Sequence, residues 1–266
     1  MTPPDLANWP YPFWIAHRGA GKLAPENTLA AFRLGTQHGY RMFECDAKLS
    51  ADGIPFLLHD ATLERTTSGH GLAGQQTWHT LSQLDAGHWH SRAHAGEPLP
   101  TLAALARYCL ANGHALNIEI KPTPGLEAQT GQVVALAARD LWTRDVHTPG
   151  QLPTSPKAAH LACPPLLTSF QPESLAAAQQ AAPELPRGLL LDTLWTGWFD
   201  VAQRLGCLAV VCNHALWDQT TVGQVHGAGM RCLSYTVNDE WAAQRLIDLG
   251  TDGIITDRVD LFRPTP

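Results

Sequence analysis

Titratable side chains are concentrated in residues 15–60, beside apolar runs of the kind that form buried strands. His17 and Arg18 directly follow the first of these runs and precede a glycine-containing loop. Glu44 and Asp46 alternate with apolar residues in the second run. Because side chains two positions apart share one face of a strand, the two carboxylates point in the same direction. The sequence therefore predicts an acidic strand face beside a histidine and an arginine.

A third acidic residue and a second histidine complete this set. The Asp52–Gly53 turn predicts a hairpin that brings His59 back to the same end of the sheet. Glu119 and Lys121 share one face of a later strand. Three converging carboxylates repel one another, so either their pKa values rise or a hard cation lies between them. One divalent cation, Mg2+ or Ca2+ with Mn2+ also acceptable, is the more economical explanation.

The remaining polar groups indicate a reaction on an anionic substrate. Arg18 and Lys121 beside a cation suit phosphate, which accepts hydrogen bonds from both guanidinium and ammonium groups. His17 and His59 are then available for proton transfer, one to activate the nucleophile and one to protonate the leaving alkoxide. The residues predict metal-assisted hydrolysis of a phosphodiester, in which the cation stabilises charge in the transition state.

The elements that position these side chains alternate between strand and helix. A length of 266 residues is compatible with two small domains or with one α/β barrel. Eight strands, each followed by a helix or a helical candidate, predict a single α/β domain over residues 1–266, folded as a (β/α)8 TIM barrel. An irregular segment at about residues 61–100 predicts a small insertion after the second strand, which we expect to cap the site. The expected strands begin near Trp14, Met42, Ala115, Leu166, Gly188, Leu208, Arg231 and Gly253.

Other positions have a local structural interpretation. Asn27 or Thr28 is expected to cap the first helix. The aromatic residues Phe170, Trp195 and Tyr235 either line the pocket or pack in the core.

Composition and charge exclude several classes of protein. The chain has 18 basic and 24 acidic residues without a basic block, so we expect no nucleic-acid partner. No signal peptide and no window of about 18 uninterrupted apolar residues is present, so we expect a cytoplasmic protein without stable membrane association. Six cysteines without a CxxC pair indicate buried, reduced thiols. Nothing in the sequence determines the oligomeric state.

Several motifs together resemble those of a known family. The runs HRG, PENT, ECD, LLHD with LERTTSGHG, NIEIKP, TVN and GIITDR occur in this order between Ile15 and Arg258. Their combination is similar to that of the glycerophosphodiester phosphodiesterases of the cytoplasmic bacterial type. The resemblance implies a TIM barrel with a small inserted subdomain, a divalent cation, and a small-molecule substrate. That substrate would be a glycerophosphodiester such as glycerophosphocholine or glycerophosphoethanolamine, hydrolysed to sn-glycerol 3-phosphate and an alcohol.

The resemblance also implies roles for individual residues. It implies that His17 and His59 are the acid–base pair and that Glu44, Asp46 and Glu119 are the cation ligands. Arg18 and Lys121 would contact the phosphate, and Glu26 would be a supporting residue. Two positions depart from the family pattern, because Tyr235 stands where tryptophan is common and Val259 where proline usually follows. The tyrosine keeps an aromatic wall, although the fit around glycerol or the leaving group is expected to differ.

Some of these residues have a purely structural alternative. Glu119 and Lys121 could form an ion pair on one strand face. Glu26 could complement the dipole of the first helix. A histidine cluster in the insertion could bind a transition metal, but without an acidic or thiol partner it favours a polar cap surface. Its members are His88, His90 and His94.

Three functional alternatives stay open at this point. The protein could be a lysophospholipase D-like or a phosphoinositide phospholipase-like enzyme on a similar barrel, or a non-catalytic binder of phosphate esters. The lack of a membrane-docking segment argues against lipid aggregates as substrate. The two histidines oppose a pure binder, because binding requires no proton transfer. The first nucleophile is either a metal-bound water or the glycerol hydroxyl of the substrate.

Overall fold

The computed structural model describes residues 9–144 and 163–264. The sequence also predicts a proline-rich connector that runs through Pro165 to the fourth barrel strand, and most of it lies outside these ranges. The described residues form nine strands: β1 (Trp14–Ala16), β2 (Met42–Leu49), β3 (Pro55–Leu57), β4 (Ala115–Ile120), β5 (Leu166–Ser169), β6 (Arg187–Leu191), β7 (Ala209–Asn213), β8 (Arg231–Tyr235) and β9 (Gly253–Thr256). The α-helices of the described chain are α1 (Leu29–Gln37), α2 (Trp78–Leu81), α3 (Leu102–Asn112), α4 (Glu127–Arg144), α5 (Pro172–Ala181), α6 (Trp198–Arg204), α7 (Gln219–Gly227) and α8 (Glu240–Asp248).

Eight of the strands form a closed parallel barrel. Each neighbours the next in the order β1-β9-β8-β7-β6-β5-β4-β2, and pairing of β1 with β2 closes the ring. The closing registers are Ala16 opposite Phe43 and Trp14 opposite Ile254. Strand β3 lies outside the ring as the antiparallel partner of β2, with Ala47 opposite Leu57. The predicted (β/α)8 TIM barrel and its hairpin are confirmed.

Alternation along the strands divides the core into two layers. One inward set, which includes Ile15, Met42 and Leu233, packs inside the barrel. Residues of the opposite parity, such as Phe43 and Ile118, pack against the helices. All eight residues of β2 are buried. Strand β2 is therefore apolar at the start of its inward face and acidic further along.

Helix α1 begins at Leu29, directly after the PENT motif. Asn27 adopts a left-handed conformation with φ of 58°, which interrupts any helical path from Pro25. Thr28 then caps the helix by accepting a hydrogen bond from the backbone N–H of Ala31. Thr28, rather than Asn27, is thus the N-cap.

The end of the chain differs from the regular strand–helix pattern. Within the described residues, no helix follows β9, and a turn covers residues 259–261. Tyr40 donates its hydroxyl to the carbonyl oxygen of Phe262 at 2.7 Å. The Phe262 ring stacks on Trp14, with 4.7 Å between ring centroids. Aromatic packing against the first strand therefore takes the place of a final helix.

Residues 61–100 lie between β3 and α3 and contain short helical turns. They share a small apolar cluster with β3, in which Leu63, Leu81 and Leu99 are buried. The insertion also contacts the first βα unit, because the Glu97 carboxylate accepts the backbone N–H of Ala30 at 3.0 Å. Its partition as a subdomain within one catalytic domain stays a prediction.

All six cysteines are free thiols, as predicted, and five of them are buried while Cys163 is half-buried. Among the residues that the structure describes, no helix is both long enough and apolar enough to span a bilayer.

Candidate active site

His17 lies just past the end of β1 and is held by the end of β9. Its Nδ1 atom is 2.7 Å from Oδ1 of Asp257. The second oxygen of Asp257 accepts a hydrogen bond from the Asn238 amide at 2.9 Å. The other ring nitrogen of His17 lies 3.8 Å from a Glu44 oxygen. The carboxylate therefore fixes the orientation of the ring and leaves Nε2 directed at the acidic strand face.

Asp257 was not singled out from the sequence, although it belongs to the GIITDR run. Its position directly after a barrel strand was the available signal, because reactive groups of such barrels lie at strand carboxyl ends. Asn238 carried a similar signal in the TVN run. Both residues come from the far end of the chain, and only barrel closure brings them to His17.

His59 follows the hairpin strand β3 and has its own carboxylate partner. Its Nδ1 atom is 2.7 Å from Oδ1 of Asp60. Arg65 donates two hydrogen bonds to Asp60, at 2.6 and 2.9 Å. These bonds from Arg65 hold the pKa of Asp60 well below its usual range. Burial lowers the pKa of His59, and the opposing charge of Asp46 is offset by that of Arg18.

The three predicted cation ligands converge as expected. Each of Glu44, Asp46 and Glu119 offers an oxygen within 4.8 Å of the others, and all three residues are buried or nearly so. Burial followed by the charge of Asp46 raises the pKa of Glu44 well above its usual value and that of Glu119 to about 7. Burial also acts to raise the pKa of Asp46, but Arg18 and then other positive charges lower it overall.

The hydrogen bonds around these carboxylates fit a bound cation. One oxygen of Glu44 accepts the backbone N–H of Arg18 at 3.1 Å, and one oxygen of Asp46 accepts the Asn27 amide at 2.8 Å. The second oxygen of each is buried and accepts no hydrogen bond from residues 9–144 or 163–264. Hard divalent cations prefer such oxygen ligands. The donor set therefore fits Mg2+ or Ca2+.

Two fixed cations flank the carboxylates. The Arg18 guanidinium lies 3.1 Å from Asp46 and 2.8 Å from Glu26. The Lys121 ammonium lies 2.7 Å from Glu119 and 3.5 Å from Asp46. Both cations are thus aligned on the acidic face, with the remaining N–H groups available to an anion.

Glu26 supports this arrangement through two arginines rather than through the helix dipole. Besides Arg18, it binds Arg65 with two bonds of 2.8 Å. Because Arg65 also holds Asp60, one side chain connects the environments of His59 and Arg18. Arg65 is a residue that the sequence did not single out.

A cavity of about 170 Å3 lies at the centre of the site. Phe170 and Tyr235 form part of its wall, with ring centroids 5.8 Å apart, and the Lys121 ammonium lies 5.7 Å from the Phe170 centroid. Both aromatic residues therefore line the pocket, as one of the two sequence interpretations has it. Trp195 is not among the lining residues, which include His17, Arg18, Glu44, His59, Glu119, Lys121, Phe170 and Tyr235.

Two other clusters of potential ligands are structural. His226 lies at the end of α7, Cys232 at the start of β8 and Asp252 just before β9, away from the carboxyl ends of the strands. Asp252 is already satisfied by His226, Arg231 and the backbone N–H of Cys232, at 2.7 to 2.8 Å. In the insertion, His90 contacts the carbonyl oxygen of Lys22 at 3.0 Å, which favours the polar cap interpretation of the histidine cluster.

The fold and the site define a class of enzyme: phosphoric diester hydrolases built on a TIM barrel. The profile of the glycerophosphoryl diester phosphodiesterase family matches residues 17–261, and the chain belongs to that family.

Individual relatives agree with this assignment. A protein of Caldanaerobacter subterraneus named glycerophosphodiester phosphodiesterase is 30% identical over 250 residues, which cover 91% of this chain and 93% of that protein. The structure of an Oleispira antarctica phosphodiesterase in complex with the product sn-glycerol 3-phosphate matches with a TM-score of 0.79 and 35% identity, over 93% of each chain. A glycerophosphodiester phosphodiesterase from Agrobacterium tumefaciens matches with a TM-score of 0.73 and 28% identity, over 96% of this chain and 100% of that one.

Proposed function

We propose that the protein hydrolyses glycerophosphodiesters, such as glycerophosphocholine or glycerophosphoethanolamine, to sn-glycerol 3-phosphate and an alcohol. The main support is the convergence of three buried carboxylates with two histidines, each paired with its own aspartate, at the mouth of the barrel. The solved relative that holds sn-glycerol 3-phosphate supports the same product.

Glu44, Asp46 and Glu119 would hold the divalent cation, which is Mg2+ or Ca2+, with Mn2+ also acceptable. When bound, that cation neutralises phosphate charge and stabilises the transition state. Arg18 and Lys121 contact the phosphate oxygens and position the phosphorus between the two histidines.

His17 and His59 act as the general base and the general acid of the reaction. Asp257 accepts a hydrogen bond from Nδ1–H of His17, and Asp60 accepts one from Nδ1–H of His59, so each ring presents Nε2 to the substrate. One Nε2 accepts a proton from the attacking hydroxyl group, and the other donates one to the leaving alkoxide. Turnover in 18O-labelled water, with a search for a cyclic phosphate, distinguishes attack by water from attack by the glycerol hydroxyl.

The whole chain then acts as one catalytic domain, with residues 61–100 as a cap beside the pocket. Glu26 supports Arg18 and the cap together. The cytoplasmic location predicted from the sequence stays a prediction, as does the absence of nucleic-acid and stable membrane partners.

The test is release of sn-glycerol 3-phosphate from a panel of glycerophosphodiesters, with EDTA and then with Mg2+, Ca2+ or Mn2+ added back. We expect release that EDTA abolishes and a cation restores. His17→Ala should lower kcat by about 10²- to 10⁴-fold, whereas His79→Ala, on the exposed surface of the insertion, should not.

Three results would contradict the proposal. Faster release of choline from lysophosphatidylcholine than from glycerophosphocholine would identify a lysophospholipase D-like enzyme. Faster turnover of a phosphoinositide would identify a phospholipase. Binding of phosphate esters without turnover of any of them would identify a non-catalytic binder.

A further inference from the structure

A second cavity of about 330 Å3 lies beside the first one. The two cavities share four lining residues, which are His59, Glu119, Lys121 and Phe170. A phosphodiester has two ester branches, one on each side of the phosphorus. If the phosphate lies against the shared wall, each branch has a cavity of its own. The glycerol branch is common to every glycerophosphodiester, and only the alcohol branch varies.

The smaller first cavity is the better fit for the constant branch. It contains both predicted phosphate contacts and the aromatic wall of Phe170 and Tyr235. The larger second cavity is then available for alcohols of different size.

Lys48 is the distinctive residue of the second cavity. It lies two positions after Asp46 on the inward face of β2, and only 3% of its surface is exposed. Among the described residues, its ammonium group makes one long hydrogen bond, 3.4 Å to the carbonyl oxygen of Lys121. Asp46, Glu119 and Asp60 act on it through their charges, but no carboxylate of the described chain lies within 4.0 Å of it. An ammonium group has three donors and no acceptor, so Lys48 retains donors for a ligand oxygen.

The rest of the lining does not suit a cationic alcohol. Quaternary ammonium groups are recognised by cages of several aromatic faces. Among the described lining residues, Phe170 offers the one phenyl ring, and the Lys121 ammonium already lies near it. Glu119 and Glu127 also line the cavity. The Glu119 carboxylate is paired with the Lys121 ammonium at 2.7 Å, and the Glu127 carboxylate is solvated and accepts the backbone N–H of Gly125. Water screens the exposed charge of Glu127 more strongly than it screens the buried charge of Lys48.

We propose that the second cavity binds the leaving alcohol and that Lys48 selects neutral polyols, such as glycerol or inositol, over cationic alcohols such as choline. The ammonium group donates hydrogen bonds to the hydroxyl oxygens of a polyol and repels a trimethylammonium group. This inference rests on the proposed function, because it assumes a glycerophosphodiester substrate.

The experiment compares kcat/KM for release of sn-glycerol 3-phosphate from glycerophosphoglycerol, glycerophosphoinositol and glycerophosphocholine, all with Mg2+. We expect the unaltered protein to prefer the two polyol substrates by about tenfold, which corresponds to about 1.4 kcal/mol. Lys48→Met, which removes the charge and keeps the length, should abolish that preference. Lys48→Arg should keep it. Arg107→Met, on the exposed surface of α3, removes the same charge outside the site and serves as the control.

Two results would overturn the inference. One is an equal or greater kcat/KM for glycerophosphocholine in the unaltered protein. The other is an equal loss on all three substrates in Lys48→Met, which would make Lys48 a phosphate contact. Absence of sn-glycerol 3-phosphate release from every substrate would instead contradict the proposed function itself.

A second measurement needs no variant. Free inositol and free choline are compared as inhibitors of the unaltered protein, and inositol should inhibit at lower concentration. Stronger inhibition by choline would also overturn the inference, even if Lys48→Met did not fold.

Discussion

At the scale of single residues, the site consists of histidines whose orientation is controlled by carboxylates. His17 is held by Asp257 and His59 by Asp60, both at 2.7 Å. A histidine oriented in this way presents one defined nitrogen to the substrate, since the partner on Nδ1 selects the tautomer. The positioning groups are therefore as informative about the site as the histidines themselves.

Asp257→Asn is expected to lower kcat by about 10²-fold or more, because an amide can donate to Nδ1 and so favour the wrong tautomer of His17. Cation affinity and the melting temperature should change little. Steady-state kinetics and titration calorimetry with Mg2+ measure these quantities. An unchanged kcat would mean that Asp257 does not orient His17. Asp248→Asn, at an exposed position on α8, is the matched control.

Arg65→Ala is expected to lower kcat by about tenfold, since Arg65 makes charge-assisted bonds to both Glu26 and Asp60. Arg65→Lys should restore only part of the activity, because an ammonium group cannot bind both carboxylates with paired bonds. Arg107→Ala, at an exposed position on α3, is the control. Full activity in Arg65→Ala would show that the network is dispensable.

At the scale of elements, close backbone approaches hold the barrel and its helices together. In α4, a Cβ at Gly131 would lie 2.1 Å from the backbone oxygen of Ser174 in α5. At the mouth of the barrel, Gly21 has φ of 56°, and a Cβ there would lie 2.1 Å from the backbone oxygen of Asp257. The loop after β1 and the end of β9 are thus in direct contact, which places His17 against its carboxylate.

Gly131→Ala is expected to destabilise the protein by about 1–3 kcal/mol, because α4 and α5 must separate to admit the methyl group. Gly223→Ala, in α7, meets no atom within 4 Å and should stabilise by about 0.5–1 kcal/mol through helix propensity. Urea unfolding of both variants gives the two free energies. Equal effects of the two substitutions would disprove the packing explanation.

At the scale of the whole molecule, the acidic cluster couples folding to pH and to the cation. The pKa of Glu119 is raised from its ordinary 4.5 to about 7, by burial and then by Asp46. Between these values Glu119 binds its proton more in the folded chain than in the unfolded chain, so its contribution to stability falls as pH rises. A cation that binds the folded chain offsets this loss.

In EDTA, the free energy of unfolding is therefore expected to fall by up to roughly 3 kcal/mol between about pH 4.5 and about pH 7. Mg2+ should restore most of it at the upper end of the range, where the carboxylates are ionised. Glu119→Gln should remove much of the pH dependence and weaken Mg2+ binding. Denaturant unfolding with EDTA or Mg2+ measures both effects, and a rise in stability with pH in EDTA would contradict them.

The sequence by itself predicted the barrel and most of the site because both are encoded locally. The alternation of side chains along a strand placed Glu44 and Asp46 on one face of β2. The ends of the apolar runs marked Arg18, His59 and Lys121 as residues that follow a strand. The strand count then determined the architecture.

Only the tertiary structure decided which distant residues meet. Pairing of β1 with β9 brings Asp257 to His17, across 240 positions of sequence. The contact between Arg65 and Glu26 depends on how the insertion folds back onto the barrel. Such contacts leave no periodic signal in the chain. Lys48 shows the same limit, since period two places it on the acidic face, but only the packed barrel shows it buried at a second cavity without a carboxylate partner in the described chain.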